Sequence, residues 1–180
     1  MKNKKIFLLV LILMSSRALA ETIFEDTFQN SEYWNFISDD VMGGVSTGNV
    51  KYKTIEKETI AILSGDVSTE NNGGFIQIQR KLDEVNLVNA KSVKILAKGN
   101  NQKYFIHLRT KWTLLPWQYY QSSFTVTEEF QEFVLPINAF KKSGLFLKNN
   151  INSKNITSIG IVAFGRDHKA NIEIKKVIFD

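Results

Sequence analysis

The sequence predicts an all-β fold, a jelly-roll β-sandwich of about ten strands. Three observations carry that prediction. Apolar residues recur at period two: Val93, Ile95 and Ala97 alternate with Lys94, Leu96 and Lys98, and Tyr104, Ile106 and Leu108 with Phe105, His107 and Arg109. This is the pattern of half-buried antiparallel strands. The segments are separated by turn chemistry at Gly48-Asn49, Gly65-Asp66, Asn72-Gly73-Gly74, Gly99-Asn100-Asn101 and Ser143-Gly144. No segment sustains a helical period; Ser31 to Phe36 and Pro136 to Lys142 offer a turn or two. A closed up-and-down barrel is the competing arrangement of the same pattern.

The chain opens on an export signal, residues 1–20. Lys2, Lys4 and Lys5 precede the unbroken apolar run Ile6 to Met14, and Ala18-Leu19-Ala20 supplies small residues for cleavage before Glu21. Nine apolar residues are too few for a membrane-spanning helix, which takes about 20. The mature chain, 21–180, is therefore expected to be periplasmic or secreted, with no membrane span. The signal holds four basic residues and no acid, so removing it takes the net charge from +5 to +1. A phosphate-tracking protein needs a basic face, and nucleic-acid binding is excluded on that ground. The absence of cysteine rules out disulfides, thiolate nucleophiles and thiolate metal sites. Abundant Lys, Ile and Asn with two prolines give the composition a bacterial cast.

Strands are expected near 22–29, 46–54, 58–65, 74–81, 91–99, 102–110, 119–126, 131–136, 156–165 and 171–179. The polar, Lys- and Asn-rich stretch from Lys141 to Lys154 reads as a long surface connection. With no repeat or linker, 21–180 forms one domain.

The stretch from Trp34 to Gly48 concentrates unusual residues. Gly43-Gly44, beside Val41 and Met42 that look buried, calls for backbone with positive φ or close approach, and so does Gly73-Gly74. Asp39 and Asp40 are adjacent, so in extended backbone they face opposite ways and form no catalytic pair of their own. One is expected to tie the glycine turn while the other meets solvent or a lysine, with Asn72-Gly73-Gly74-Phe75 expected as the turn's neighbour in the fold. A calcium site lacks a loop of defined ligand spacing. His107 and His168 have no second histidine at metal-ligand spacing, and no serine sits in a nucleophile elbow. A backbone nest at Met42 to Ser46 lacks the lysine and helix of a phosphate loop. Catalysis, metal and cofactor are not indicated.

The stretch Lys111 to Gln121 is richer. It carries Trp112, Trp117, Tyr119 and Tyr120 between two strands. Exposed aromatics on a sandwich loop suit a protein partner or the face of a sugar ring. The opposing reading folds Tyr120 and one tryptophan back as a lid on the core. Arg109, at the preceding strand end, is placed to hold a carboxylate or a carbonyl of this loop.

Four groups of residues resemble one family. They are Trp34 with Ser38-Asp39-Asp40-Val41-Met42-Gly43-Gly44-Val45-Ser46; Ser64 to Ser68 running into Glu70-Asn71-Asn72-Gly73-Gly74-Phe75; Tyr119-Tyr120 and Phe124 with Phe133 to Pro136 and Phe140; and Ile159-Gly160-Ile161 with Ile172-Glu173-Ile174. Over about 24–179 the chain resembles the complex I intermediate-associated protein 30 family. That resemblance implies a galactose-binding-type β-sandwich and a non-enzymatic, chaperone-like assembly role with no catalytic residues. The expectation is an exported binding module acting on an envelope protein partner. Its alternative is a carbohydrate-binding module using the Trp112 to Tyr120 loop.

Overall fold

The structure is a computed structural model and describes residues 21–180. The export signal expected at 1–20 lies outside the described residues. Twelve strands follow one another: β1 (Phe24–Asp26), β2 (Trp34–Ser38), β3 (Thr47–Ile55), β4 (Glu58–Val67), β5 (Phe75–Lys81), β6 (Ser92–Gly99), β7 (Lys103–Thr110), β8 (Tyr120–Thr125), β9 (Gln131–Pro136), β10 (Lys141–Lys142), β11 (Ile156–Phe164) and β12 (His168–Phe179). Every strand pair is antiparallel.

The strands form two six-stranded sheets, a jelly-roll sandwich rather than a closed barrel. The first runs β3-β4-β12-β6-β9, and the second β10-β8-β7-β11-β5-β2. In the first sheet β12 is the hub: β4 covers His168 to Ile174 on one edge, β1 continues that edge at Val177 to Phe179, and β6 takes the other. A bulge between Ile174 and Lys176 shifts the alternation by one residue. Ala170, Ile172 and Ile174 before it, and Val177 and Phe179 after it, consequently all reach the core.

The core lies between the sheets. Leu63, Val93, Ile95 and Ile174 of the first meet Ile76, Ile78, Ile106, Leu108, Ile159 and Ile161 of the second. All are essentially removed from water, and each stabilises by about 1.5–3 kcal/mol through burial.

Two strands were not expected. Ser31–Tyr33 is a single 3-10 turn, but Trp34 to Ser38 pairs with β5 because Trp34 and Phe36 alternate inward. After Pro136 only Ile137–Ala139 turns, and Lys141–Lys142 adds β10 to the edge of β8. The connection from Lys141 to Lys154 is also less uniform than its composition implies, since Leu147 is buried in the core and Ile151 packs against it. Among the described residues no helix is long and apolar enough to cross a membrane.

Candidate functional site

The Asp39 loop is built around one carboxylate. After β2, Asp39–Met42 make a single 3-10 turn that Gly43 ends at φ +85°. The turn drives Asp39 inward, where it is fully buried, and leaves Asp40 exposed with the Ser38 hydroxyl donating to it at 2.6 Å. Asp39 Oδ1 accepts the Ser46 N–H at 2.9 Å, and Oδ2 accepts the Ser46 hydroxyl at 2.5 Å and the N–H groups of Gly74 at 2.5 Å and Phe75 at 3.3 Å. The two glycine pairs serve this group alike. Gly43 and Gly74 adopt positive φ, +85° and +125°. A Cβ on Gly44 would stand 2.3 Å from Asp39 Cγ, and one on Gly73 2.4 Å from Oδ2.

Burial is the largest influence on the Asp39 pKa and raises it. Hydrogen bonds from the Ser46 hydroxyl and the N–H groups of Gly74, Phe75 and Ser46 together outweigh burial and hold it below the usual carboxylate value of 3.8. An ionised carboxylate with both oxygens occupied and no exposure is a backbone clamp, not a general acid. Val41 and Met42 are exposed rather than buried, because the 3-10 turn has only Asp39 on its inner side. Asn72, next to the second glycine pair, sits in left-handed backbone at φ 60°. Trp34 is part of the core, its Nε1 donating at 2.7 Å to buried Asp26, which also pairs with Arg80.

The aromatic loop lies elsewhere. The clamp sits where Phe75 of β5 pairs with Phe164 at the end of β11; the loop after Thr110 leaves the sheet beside Ile156, at the start of β11. The nine residues of β11 separate the two by roughly 25 Å. Asp39 and Asp40 therefore do not share a site with Trp112, Trp117, Tyr119 and Tyr120.

Arg109 organises this second end. Its guanidinium donates to the carbonyls of Thr113 at 2.8 Å and Leu115 at 3.1 Å, so it braces the loop. Gln118 Oε1 accepts the N–H groups of Leu114 at 2.9 Å and Leu115 at 3.1 Å. Tyr120 points into the core, with its hydroxyl donating to the Lys148 carbonyl at 3.0 Å. Trp112 and Trp117 stay outside, 61% and 62% exposed, as does Leu114 at 82%. A second loop, between β10 and β11, lies against this one. Ser143 Oγ donates to the Trp117 carbonyl at 2.9 Å and accepts the Tyr119 N–H at 3.0 Å, while the Lys148 ammonium stands 5.7 Å from the Trp112 ring centre. In this second loop Leu145 and Phe146 are 89% and 96% exposed. Sequence reasoning missed that pair; its signal is two large apolar residues interrupting a polar run.

Beside Trp112 a shallow cleft of ≈ 140 Å³ is lined by Tyr120, Lys148, Asn150, Asn152 and Asn155. On the outer face of the second sheet, Tyr119 stacks on His107 with ring centres 3.9 Å apart, and Phe164 sets its edge against both. Burial pulls the His107 pKa down to about 3, with neighbouring Gln121 opposing, so the ring is neutral. Its Nε2 and the Gln121 Oε1 have no partner of good geometry. Among the described residues no three His, Cys, Asp or Glu converge on a metal position.

A family model described as complex I intermediate-associated protein 30 matches residues 24–174, which include both ends of the sandwich. The chain belongs to that family. No curated protein matches by sequence. By structure, this member of the complex I intermediate-associated protein 30 family is similar to carbohydrate-binding modules. One is the family 11 module from Clostridium thermocellum in complex with a β-1,3-1,4-mixed-linked tetrasaccharide: TM-score 0.68, 13% identity, covering 88% of this chain and 96% of that one. The same module of a cellulosomal cellulase from that organism gives 0.67 at 13% identity, covering 88% and 95%. An exo-β-agarase gives 0.57 at 8% identity, with 89% of this chain covering 25% of the enzyme. At these identities the likeness is one of fold.

Proposed function

We propose that this member of the complex I intermediate-associated protein 30 family is an exported, non-catalytic binding module. It acts in a chaperone-like way on an envelope protein partner, held at the end formed by the β7–β8 and β10–β11 loops. One observation carries this reading. Trp112, Leu114, Trp117, Leu145 and Phe146 are between 61% and 96% exposed on two loops tied to each other. Large apolar side chains left exposed on two joined loops of a stable fold mark a surface that is covered in use. The bracing by Arg109 and Ser143 lowers the entropy lost when they are covered.

The test is a photo-crosslinker at position 117, expressed in cells with the intact chain. A single recurrent protein adduct, lost when Trp112→Ala and Leu114→Ser are combined, is the expected result. No adduct, or one indifferent to those substitutions, counts against the reading.

A second reading is favoured by the cleft beside Trp112, where an aromatic residue shares the lining with Asn150, Asn152 and Asn155. That combination suits a sugar ring, apolar on its face and hydroxylated at its rim. Titrating tryptophan fluorescence with mixed-linked β-glucan oligosaccharides and peptidoglycan fragments decides it; an emission spectrum that none of them moves removes it.

A further inference from the structure

The same end of the sandwich holds a marked charge asymmetry. The stretches 109–123 and 141–154 carry Arg109, Lys111, Lys141, Lys142, Lys148 and Lys154 and no acidic residue. Residues 21–180 have a net charge of +1, so these two stretches carry six positive charges and the other residues sum to −5; of those others, Asp83 and Glu84 follow Leu82, whose N–H donates to the Thr157 carbonyl at this same end. The apolar tips and the cations therefore occupy the same two loops. Two cations are engaged inside them: Arg109 braces the first, and the Lys142 ammonium donates to the carbonyls of Leu145 and Leu147 at 3.3 and 3.0 Å. The tip bearing Leu145 and Phe146 is thus held in shape while its side chains project.

We propose that this end seats in the headgroup layer of an anionic bilayer. Leu114, Leu145 and Phe146 enter the acyl boundary, Trp117 lies at the interface, and Lys111, Lys141, Lys148 and Lys154 meet lipid phosphates. The inference rests on the reading that the loop end is the binding end, and it places the module at a membrane surface beside its partner.

Two independent features favour lipid over a protein pocket as what covers the tips. Side chains more than 80% exposed rest on nothing in their own fold, so their gain comes from any apolar medium they enter. The charge distribution also orients the molecule as a membrane would require. An anionic surface attracts the two cationic loops, and tryptophan settles at the headgroup level.

The experiment is flotation of residues 21–180, which hold every strand of the fold, so that the apolar run at 6–14 cannot itself bind lipid. The probes are vesicles of phosphatidylethanolamine with phosphatidylglycerol, and vesicles of phosphatidylcholine alone. Expected are binding to the anionic vesicles roughly ten-fold or more tighter than to the neutral ones, a blue shift of tryptophan emission, and weakening in about 0.5 M NaCl. Leu145→Ser combined with Phe146→Ser removes two side chains that support nothing in the fold, and should weaken vesicle binding roughly ten-fold or more. No vesicle binding, or binding that ignores lipid charge or the double substitution, overturns the proposal. If vesicles do not bind but the double variant loses the crosslinked partner, the tips face protein: the lipid proposal falls and the loop end stands. If neither responds, both fall.

Discussion

Asp39 shows how one residue type reads two ways until its neighbours are placed. In sequence it is half of an acid pair; in the fold its carboxylate takes two bonds from Ser46 and one each from Gly74 and Phe75. Asp39→Ala leaves those donors buried without an acceptor, at about 3 kcal/mol in total. Asp40→Ala, which loses one bond to the Ser38 hydroxyl at an exposed site, should cost under about 1 kcal/mol. Urea unfolding of both variants at neutral pH checks this; equal costs would mean that Asp39 is not the clamp. The need for special backbone at both glycine pairs was legible, because few other motifs call for Gly-Gly beside Asn or Asp. That the two pairs are neighbours was expected from the sequence; that they enclose one carboxylate across 35 residues of chain was not, since nothing local encodes the approach of β2 to β5.

At the scale of elements, strands with clean alternation were legible, and those whose partners supply the reason for them were not. β2 carries only Trp34 and Phe36 as inward apolar residues and follows a helix-like Ser-Glu-Tyr, so its pairing with β5 decides its state. The β3–β4 hairpin turns at Glu56 and Lys57, both at positive φ, without the glycine or asparagine that normally announces such a turn. The binding loops behave similarly. Trp112 and Trp117 announce the first, but the second was read as polar although it presents Leu145 and Phe146. The two act as one unit because Ser143 bridges them. Ser143→Ala removes the bonds to the Trp117 carbonyl and the Tyr119 N–H. Hydrogen exchange should quicken at the Tyr119 amide and through residues 111–119, while global stability falls by about 1 kcal/mol or less. Unchanged exchange at Tyr119 would show that the loops are not coupled through Ser143.

For the whole molecule, all-β character, sandwich layering and a single core were readable from period and turn spacing; strand order was not. β12 joins β1, β4 and β6 across most of the chain length, and a pattern of alternation carries no information about which strand it will meet. Such long-range pairing also brings together groups whose titration the sequence does not reveal, and stability against pH reports them. His107, neutral and enclosed by Tyr119 and Phe164, is lowered by burial to about 3, against Gln121 and from an ordinary 6.5. Between those values the unfolded chain binds the proton and the fold does not, so stability is lost as pH falls from 6.5 toward 3. His168, also lowered by burial, acts in the same direction. Asp39 and Asp180 work in the same direction, but at lower pH. Their folded pKa values lie below 3.8, so their contribution is present above that value and is lost beneath it. Stability across this range should thus weaken first through histidine and then through carboxylates. His107→Phe keeps an aromatic ring against Tyr119 and removes an unpartnered nitrogen, so it should leave neutral-pH stability within about 1 kcal/mol of the parent. The same variant should flatten the decline between pH 6.5 and about 4 while leaving the steeper fall below 3.8 in place. A decline of unchanged slope in that variant would show that His107 takes its proton in the folded state, and that the ring is open to water beneath Tyr119.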